Sequence, residues 1–389
     1  MLALVAACHA KVHFLEEFND ATWKDRWTTS EWKAEAEMGA FETRAVKFAR
    51  DAAVDTGLAT TADARFYGAS ASFDSIGNKG DKPIVIQFQV KNENDIECGG
   101  AYLKFGPKMS DPSKFGDPTP YYIMFGPDQC GYTKRTHLIF SHAGKNHLRR
   151  TDLKWDDDKK SHLFTLVLYP DATYDVYMDQ VKEVTKGSIR EDFDVLPPKK
   201  IDDPSQSKPA DWVDTAEIDD PEDKQPEDWV TEAKVKDPDA KKPADWDDEE
   251  DGTWEPPMKE NPAYKGAWSA KRIANPAYKG EWVHPQVDNP EFKDDATIGV
   301  YEDLAFAGID VWQVKAGTVF DNIMVTDDIA EAEAHAAKTW KLLAPHEKEL
   351  IDKAAAAAAE TDKKKEAAKS VADLDDDDDD DEAPKKAEA

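Results

Sequence analysis

HLFTLVLYPDATYDVYMDQV, residues His162–Val181, decides the fold class. Two runs rich in aromatic and β-branched residues flank a Pro-Asp pair, which predicts two strands joined by a turn. Working outward, PIVIQFQV (Pro83–Val90), AYLKF (Ala101–Phe105), YYIMF (Tyr121–Phe125) and HLIF (His137–Phe140) alternate or run apolar in the same way. Gly-rich connections at spacings of about ten to twenty residues fit a sandwich or jelly roll. A further β-like stretch, IDVWQVKAGTVFDNIMV (Ile309–Val325), follows a long segment of unlike composition. The expectation is an all-β sandwich over residues 11–197, whose final strands return over 291–328 after an excursion of 198–290.

Composition narrows the function classes. The 389 residues carry 81 acidic against 50 basic side chains, a net charge of −31. That excludes a nucleic-acid binder working by phosphate neutralisation and argues against docking on anionic lipid. Hydrophobic residues make up 40%, and there are 23 prolines, so a real core is mixed with segments that bury little. No apolar run reaches the roughly 20 residues of a membrane-spanning helix. MLALVAACHA at the start is apolar and ends in the small-x-small pattern Cys8-His9-Ala10, so residues 1–10 are expected to be a signal peptide, short and incomplete. With Cys8 removed, Cys98 and Cys130 remain, and in an oxidising lumen they read as one disulfide. No Asn-x-Ser/Thr sequon is present.

The excursion is periodic. KKIDDPSQSKPADW, AEIDDPEDKQPEDW and AKVKDPDAKKPADW place Trp212, Trp229 and Trp246 at a spacing of 17. GTWEPPMKENPAYKG, GAWSAKRIANPAYKG and GEWVHPQVDNPEFKD place Trp254, Trp268 and Trp282 at a spacing of 14. So polar a segment cannot build a globular core. If the chain folds back after the third unit, each unit of the first type meets one of the second in reverse order. The result is a long, proline-studded hairpin arm with its tip near Asp247–Trp254. Residues 329–370 are strongly helix-forming, with a break or restart at Pro345. Residues 371–389 form an acidic tail built on Asp375, Asp376, Asp377, Asp378, Asp379, Asp380 and Asp381.

These residues resemble the calreticulin/calnexin family of endoplasmic reticulum lectin chaperones. The likeness rests on CGGAYLKFG (Cys98–Gly106), YYIMFGPDQCG (Tyr121–Gly131), the three-plus-three repeats and IDVWQVKAGTVFDN (Ile309–Asn322). It implies a legume-lectin-like (concanavalin A-like) β-sandwich with an inserted proline-rich arm, a C-terminal α-helix and an acidic tail. It also implies binding of monoglucosylated N-glycans on folding glycoproteins, Ca2+ binding, recruitment of a protein-disulfide-isomerase-family oxidoreductase, and a lumenal monomer. The family's usual retrieval signal is not visible at the Lys385–Ala389 end, which leaves a surface or secreted location open.

A hexose offers hydroxyls that need hydrogen-bond partners and a C–H face suited to aromatic stacking. Tyr102 and Lys104 are two apart, as are Asp310 and Trp312, so on strands each pair shares a face. Tyr121, Met124 and Asp128 lie in YYIMFGPD, the last beyond a Gly-Pro bend. All seven match the family's glucose-holding positions. The family also implies the Cys98–Cys130 bridge, which closes a loop for which chain entropy gives about 3–4 kcal/mol.

For calcium, the match is the Asp321 carboxylate with the main-chain carbonyls of Glu17, Val54 and Thr56. Two readings of the aspartate run stay open: weak calcium storage and plain solubilisation. Glu249, Asp251 and Trp254 match the family's partner-docking tip. His137 resembles a position lining the sugar surface and His162 one linked to chaperone function, whereas the five-residue spacing of His137, His142 and His147 matches neither a helix face nor a strand face and favours exposed or locally bonded histidines over a zinc site. Two other function classes compete. One is a low-affinity calcium buffer or surface scaffold with a lectin-like domain. The other is a glycosidase, for which no E-x-D-x-x-E-type catalytic strand is present.

Overall fold

The computed structural model describes residues 11–375 apart from 248, 250 and 251, with side chains described to residue 365. The expected leader (1–10), Asp251, the side chain of Asp375, and Asp376–Asp381 with the rest of the tail lie outside the described residues. The chain divides into two compact units: the part up to Pro197 together with that from Lys293 on, and Pro198–Phe292.

The first unit is a sandwich of two antiparallel sheets. One runs, in order, Val181–Ser188, Thr173–Met178, Ser161–Leu168, Ile84–Asn92, Thr318–Thr326, Thr56–Thr60 and Phe41–Ala45, with Val12–Glu16 added on Thr318–Thr326. The other runs Lys145–Leu148, Thr133–His142, Ile123–Cys130, Cys98–Gly100, Leu304–Gln313, Arg65–Ile76 and Trp27–Thr29. Leu103–Pro107 bridges Leu304–Gln313 and Ile123–Cys130. The opening stretch forms the hairpin expected of it, Leu168 opposite Tyr174 and Phe164 opposite Met178.

Strand alternation builds the core. Leu103, Phe105, Ile123, Phe125, Ile309 and Val311 point inward from the second sheet, and meet Phe88 and Phe164 from the first. Phe88 lies 5.7 Å from Phe125 edge-on and stacks on Phe164 at 5.5 Å. Every residue of Ile84–Asn92 is buried, because Ala332 of the helix Ile329–Lys338 covers Val85, Val167 and Met324 on the opposite face. That double burial is why the segment reads as a nearly continuous apolar run.

The C-terminal helical region departs from the expected break at Pro345. It consists of Ile329–Lys338 and Trp340–Asp375, parted at Thr339, with Pro345 inside the second helix. Thr339 bonds back to the His335 carbonyl through its hydroxyl (2.9 Å), while its own carbonyl accepts from Leu342 and Leu343. It therefore ends one helix and starts the next. Pro345 forfeits only its own N–H bond to the Lys341 carbonyl, and tertiary anchoring outweighs that loss. Leu343 packs on Val46, Ala59 and Val319. Glu347 is buried against the Lys91 ammonium and accepts the Ser161 N–H at 2.6 Å, and the Trp340 indole donates to the Ser161 carbonyl at 2.7 Å.

In the second unit three short ladders pair in reverse order: Lys200–Asp202 with Gln286–Asp288, Glu217–Asp219 with Arg272–Ala274, and Lys234–Lys236 with Met258–Glu260. Each is reinforced by one repeated device. The indoles of Trp212, Trp229 and Trp246 donate to the carbonyls of Gly280, Gly266 and Gly252 at 2.8–2.9 Å. Those glycines sit at φ of +79 to +86°, a left-handed turn that a side chain would strain. Asn261, Asn275 and Asn289 donate their amides to the carbonyls of Glu232, Thr215 and Pro198. The W and N-P-x-Y/F-K repeat letters are thus the hydrogen-bonding parts of one rung.

Glu347→Ala leaves Lys91 buried without a counter-charge and is expected to cost about 3–5 kcal/mol. The check is the urea midpoint followed by circular dichroism. Replacing both partners together, Lys91→Met with Glu347→Leu, is expected to recover most of the loss.

Candidate carbohydrate and cation sites

Five of the seven expected sugar contacts gather on the outer face of the second sheet: Lys104, Met124, Asp310 and Trp312 by strand alternation, and Tyr121 from the connection just before Ile123–Cys130. Lys104 lies directly opposite both Met124 and Gly308. Its ammonium is buried and bonds Asp310 Oδ2 at 2.7 Å, two residues along from Gly308. The same ammonium stands 5.3 Å from the centre of the Tyr121 ring, and the Tyr121 hydroxyl is 4.0 Å from Met124 Sδ. Trp312 follows Asp310 on the same face, 37% exposed, and lies 4.7 Å from the ring of Phe66, its cross-strand partner.

The other two join them, Tyr102 from outside a strand and Asp128 by the alternation it shares with Met124. Tyr102 lies in the break between Cys98–Gly100 and Leu103–Pro107, so its agreement with Lys104 does not come from strand alternation. Asp128 is inside the strand Ile123–Cys130, opposite Gly100, and not beyond a bend as expected. The Gly-Pro pair is absorbed within that strand. Gly126 adopts φ +132°, and a Cβ there would fall 2.7 Å from the Tyr102 Cα, so only glycine permits Tyr102 to settle against it. His137, opposite Gly126, links the two residues: its Nε2 is 3.4 Å from Asp128 Oδ2, and its ring meets Tyr102 edge-on at 5.6 Å.

Burial sets the electrostatics. The Tyr102 hydroxyl is pushed far above its ordinary value, first by burial and then by Asp128, Asp310, Tyr121 and Asp117. Burial also raises the Asp310 carboxyl, and the Lys104 ammonium offsets only part of that. Sequence reasoning missed Asp117, whose charge is felt by Tyr102, Tyr121 and Asp310. It also missed the aromatic shelf of Trp32 and Phe66, rings 5.9 Å apart, under the Lys33 ammonium. Only the ladder register, Phe66 opposite Trp312, brings that shelf to the cradle. Cys98 and Cys130 are bonded to each other as cross-strand neighbours, Cα atoms 3.9 Å apart, and tie the strand that precedes Tyr102 to the one that carries Asp128.

Among the described residues no group of three or more His, Cys, Asp or Glu side chains is arranged to hold a metal. A cation site among them would therefore need neutral oxygens, such as main-chain carbonyls, beside a carboxylate. Asp321 lies at a register irregularity in Thr318–Thr326, and both its carboxylate oxygens accept from Asn322, at 2.7 Å each. It is buried, and its pKa is driven well above the usual range by burial and by the charges of Glu17, Asp55 and Glu16. Gly57 is pressed against it, since a Cβ there would lie 3.2 Å from the Asp321 Cβ. The carbonyls of Glu17 and Val54 both face one end of the Asn19 amide, at 3.1 and 2.9 Å. A hard cation is suited by carbonyl oxygens together with a buried carboxylate. At the arm tip Glu249 is exposed, its N–H bonded to Asp247 Oδ1, and Trp254 is half-buried.

Two packed antiparallel sheets with a shallow polar cradle on one outer face define a lectin-like β-sandwich protein. A solved structure of the T. cruzi calreticulin globular domain superposes with a TM-score of 0.62 at 29% identity, covering 88% of this chain and 98% of that one. The calreticulin family model matches residues 14–253 and 250–325. Calreticulin of Caenorhabditis briggsae is 54% identical over 355 residues, 91% of this chain and 89% of its own. That of Oryctolagus cuniculus is 54% identical over 351 residues, 90% and 83%. The chain belongs to the calreticulin family, chaperones and lectins and not enzymes.

His162 sits apart from the cradle, its Nδ1 2.7 Å from Asp179 and its Nε2 3.0 Å from Asp158. Burial alone would lower its pKa, but the two carboxylates outweigh that and hold it up at about 9. A folded value above the ordinary 6.5 means the imidazolium stabilises the fold fully below about pH 6.5. That contribution is lost as pH rises through 9. His162→Gln is therefore expected to lower thermal stability at pH 6 by on the order of 3 kcal/mol, with the difference from wild type shrinking towards pH 10. Calorimetric melts across that range check it.

Proposed function

We propose that the outer face of the second sheet binds the terminal glucose of monoglucosylated N-glycans on folding glycoproteins in the endoplasmic reticulum lumen. The observation that carries the reading is the buried Lys104–Asp310 pair beside Tyr102, Tyr121 and Asp128. In that pair one of the three ammonium donors is committed to Asp310, which would leave the others for sugar hydroxyls. Sugar hydroxyls would accept from Lys104 and the tyrosine hydroxyls and donate to Asp128, which His137 steadies. Met124 and Trp312 would take the C–H face of the ring. The ion pair keeps Lys104 in place without a ligand, so binding spends little on ordering the site.

A bound Ca2+ would supply charge neutralisation at Asp321 and join the N-terminal strand, the Val54–Thr56 segment and the last strand. Asp321 would be its only carboxylate, with the carbonyls of Glu17, Val54 and Thr56 completing the set. The half-buried Trp254 with Glu249 suits a transient contact with a disulfide isomerase, which would raise that enzyme's effective concentration at the bound client.

Asp128→Ala is expected to weaken binding of a glucose-capped oligomannose by at least tenfold while leaving the thermal midpoint within about 2 °C. Calorimetric titration measures the first and a thermal melt the second. Wild-type affinity in the variant would remove the site assignment. A protein that binds calcium but ignores the glucose cap would favour the buffer or scaffold reading.

A further inference from the structure

We propose that Asn19 works the calcium site from both sides: its amide oxygen is a ligand when the ion is bound, and its amide nitrogen closes the site when it is not. This rests on the calcium reading above and extends it to a side chain that no other argument requires.

The Asn19 amide lies between two main-chain acceptors, 3.1 Å from the Glu17 carbonyl oxygen and 2.9 Å from that of Val54. Two arrangements satisfy those carbonyls. With the NH2 end inward, the amide donates to both. With the oxygen inward, three acceptors converge and only a cation relieves them. Oxygens bound to one calcium at 2.3–2.6 Å stand about 3 Å apart on neighbouring vertices of the coordination shell. The same spacing therefore serves as a hydrogen bond without the ion and as a coordination edge with it, and a half-turn about χ2 interconverts the two. Asn19 is exposed, so the turn meets no packing and the ion has an entry path.

The backbone is bent to put Asn19 there. Phe18 adopts φ 51°, left-handed and strained for a phenylalanine. It is held so by its buried ring, 5.6 Å from Trp27, and by its N–H donating to Glu16 Oε1 at 2.9 Å. The left-handed residue swings position 19 back over the carbonyl of position 17. Across the site Asn322 is also left-handed, at φ 50°, beside the buried Asp321. Strained backbone thus adjoins both Glu17 and Asp321, the proposed ligands, as preorganisation of an ion site requires.

The test uses the full chain, with Ca2+ titrated calorimetrically and thermal midpoints measured in chelator and in calcium. Asn19→Ala is expected to weaken the tight calcium component roughly tenfold and to lower the midpoint in chelator. Asn19→Asp sets a carboxylate against two carbonyls, so its midpoint in chelator is expected to fall below wild type and its calcium-induced rise to exceed wild type. Unchanged calcium affinity in Asn19→Ala, or an Asn19→Asp variant that calcium stabilises no more than wild type, makes the amide a structural donor only and overturns the proposal. Asp321→Asn separates the two levels. If wild type lacks a tight component, or keeps it in that variant, the calcium reading itself falls and this proposal with it.

Discussion

The last two strands of the sandwich, one in each sheet, are the constraint on which everything else depends. Leu304–Gln313 lies in the middle of one sheet, between Arg65–Ile76 and the strands at 98–107. Thr318–Thr326 lies in the middle of the other, between Ile84–Asn92 and Thr56–Thr60. Neither sheet is continuous until the chain has passed through the whole repeat segment and come back. Pairing so remote in sequence is costly in loop-closure entropy, and the three repeated rungs of the inserted unit lower that cost by pre-pairing its two halves.

The same two strands supply the chemistry. One strand carries Asp310 and Trp312 on the outer face of the second sheet; the other carries Asp321 under the first. A four-residue connection separates the strands, so the candidate sugar site and the candidate cation site share one stiff element while facing different sheets. The buried pair of Lys104 with Asp310, and the buried Asp321 with no such partner, show two solutions to one problem. Each carboxylate is desolvated, and desolvation raises both. One is offset by a lysine on a neighbouring strand, whereas the partner of the other is the neutral Asn322, a setting that suits a cation.

Legibility in the sequence followed the length scale of the signal. The strands of the sandwich and the reverse pairing of the repeats were readable because hydrophobic alternation and a 17- and 14-residue period are local. Asp310 and Trp312 came out on one face for the reason given, being two apart on a true strand. Tyr102 reached the cradle for another reason: it depends on Gly126 of a different strand, and no local pattern encodes that. Asp117 and the Trp32–Phe66 shelf were silent because only sheet register brings them in. The helix break fell at Thr339 and not at Pro345, since burial of Leu343 and Glu347 held the proline inside a helix that propensity alone would have ended.

Hydrogen–deuterium exchange of the full chain, with and without a glucose-capped tetrasaccharide, tests the central claim most directly. The account gives a protection footprint confined to residues 102–128 and 308–312, the amides behind the cradle, with the strands of the opposite sheet unchanged. A footprint lying elsewhere in the sandwich, or none at saturating sugar, would contradict it.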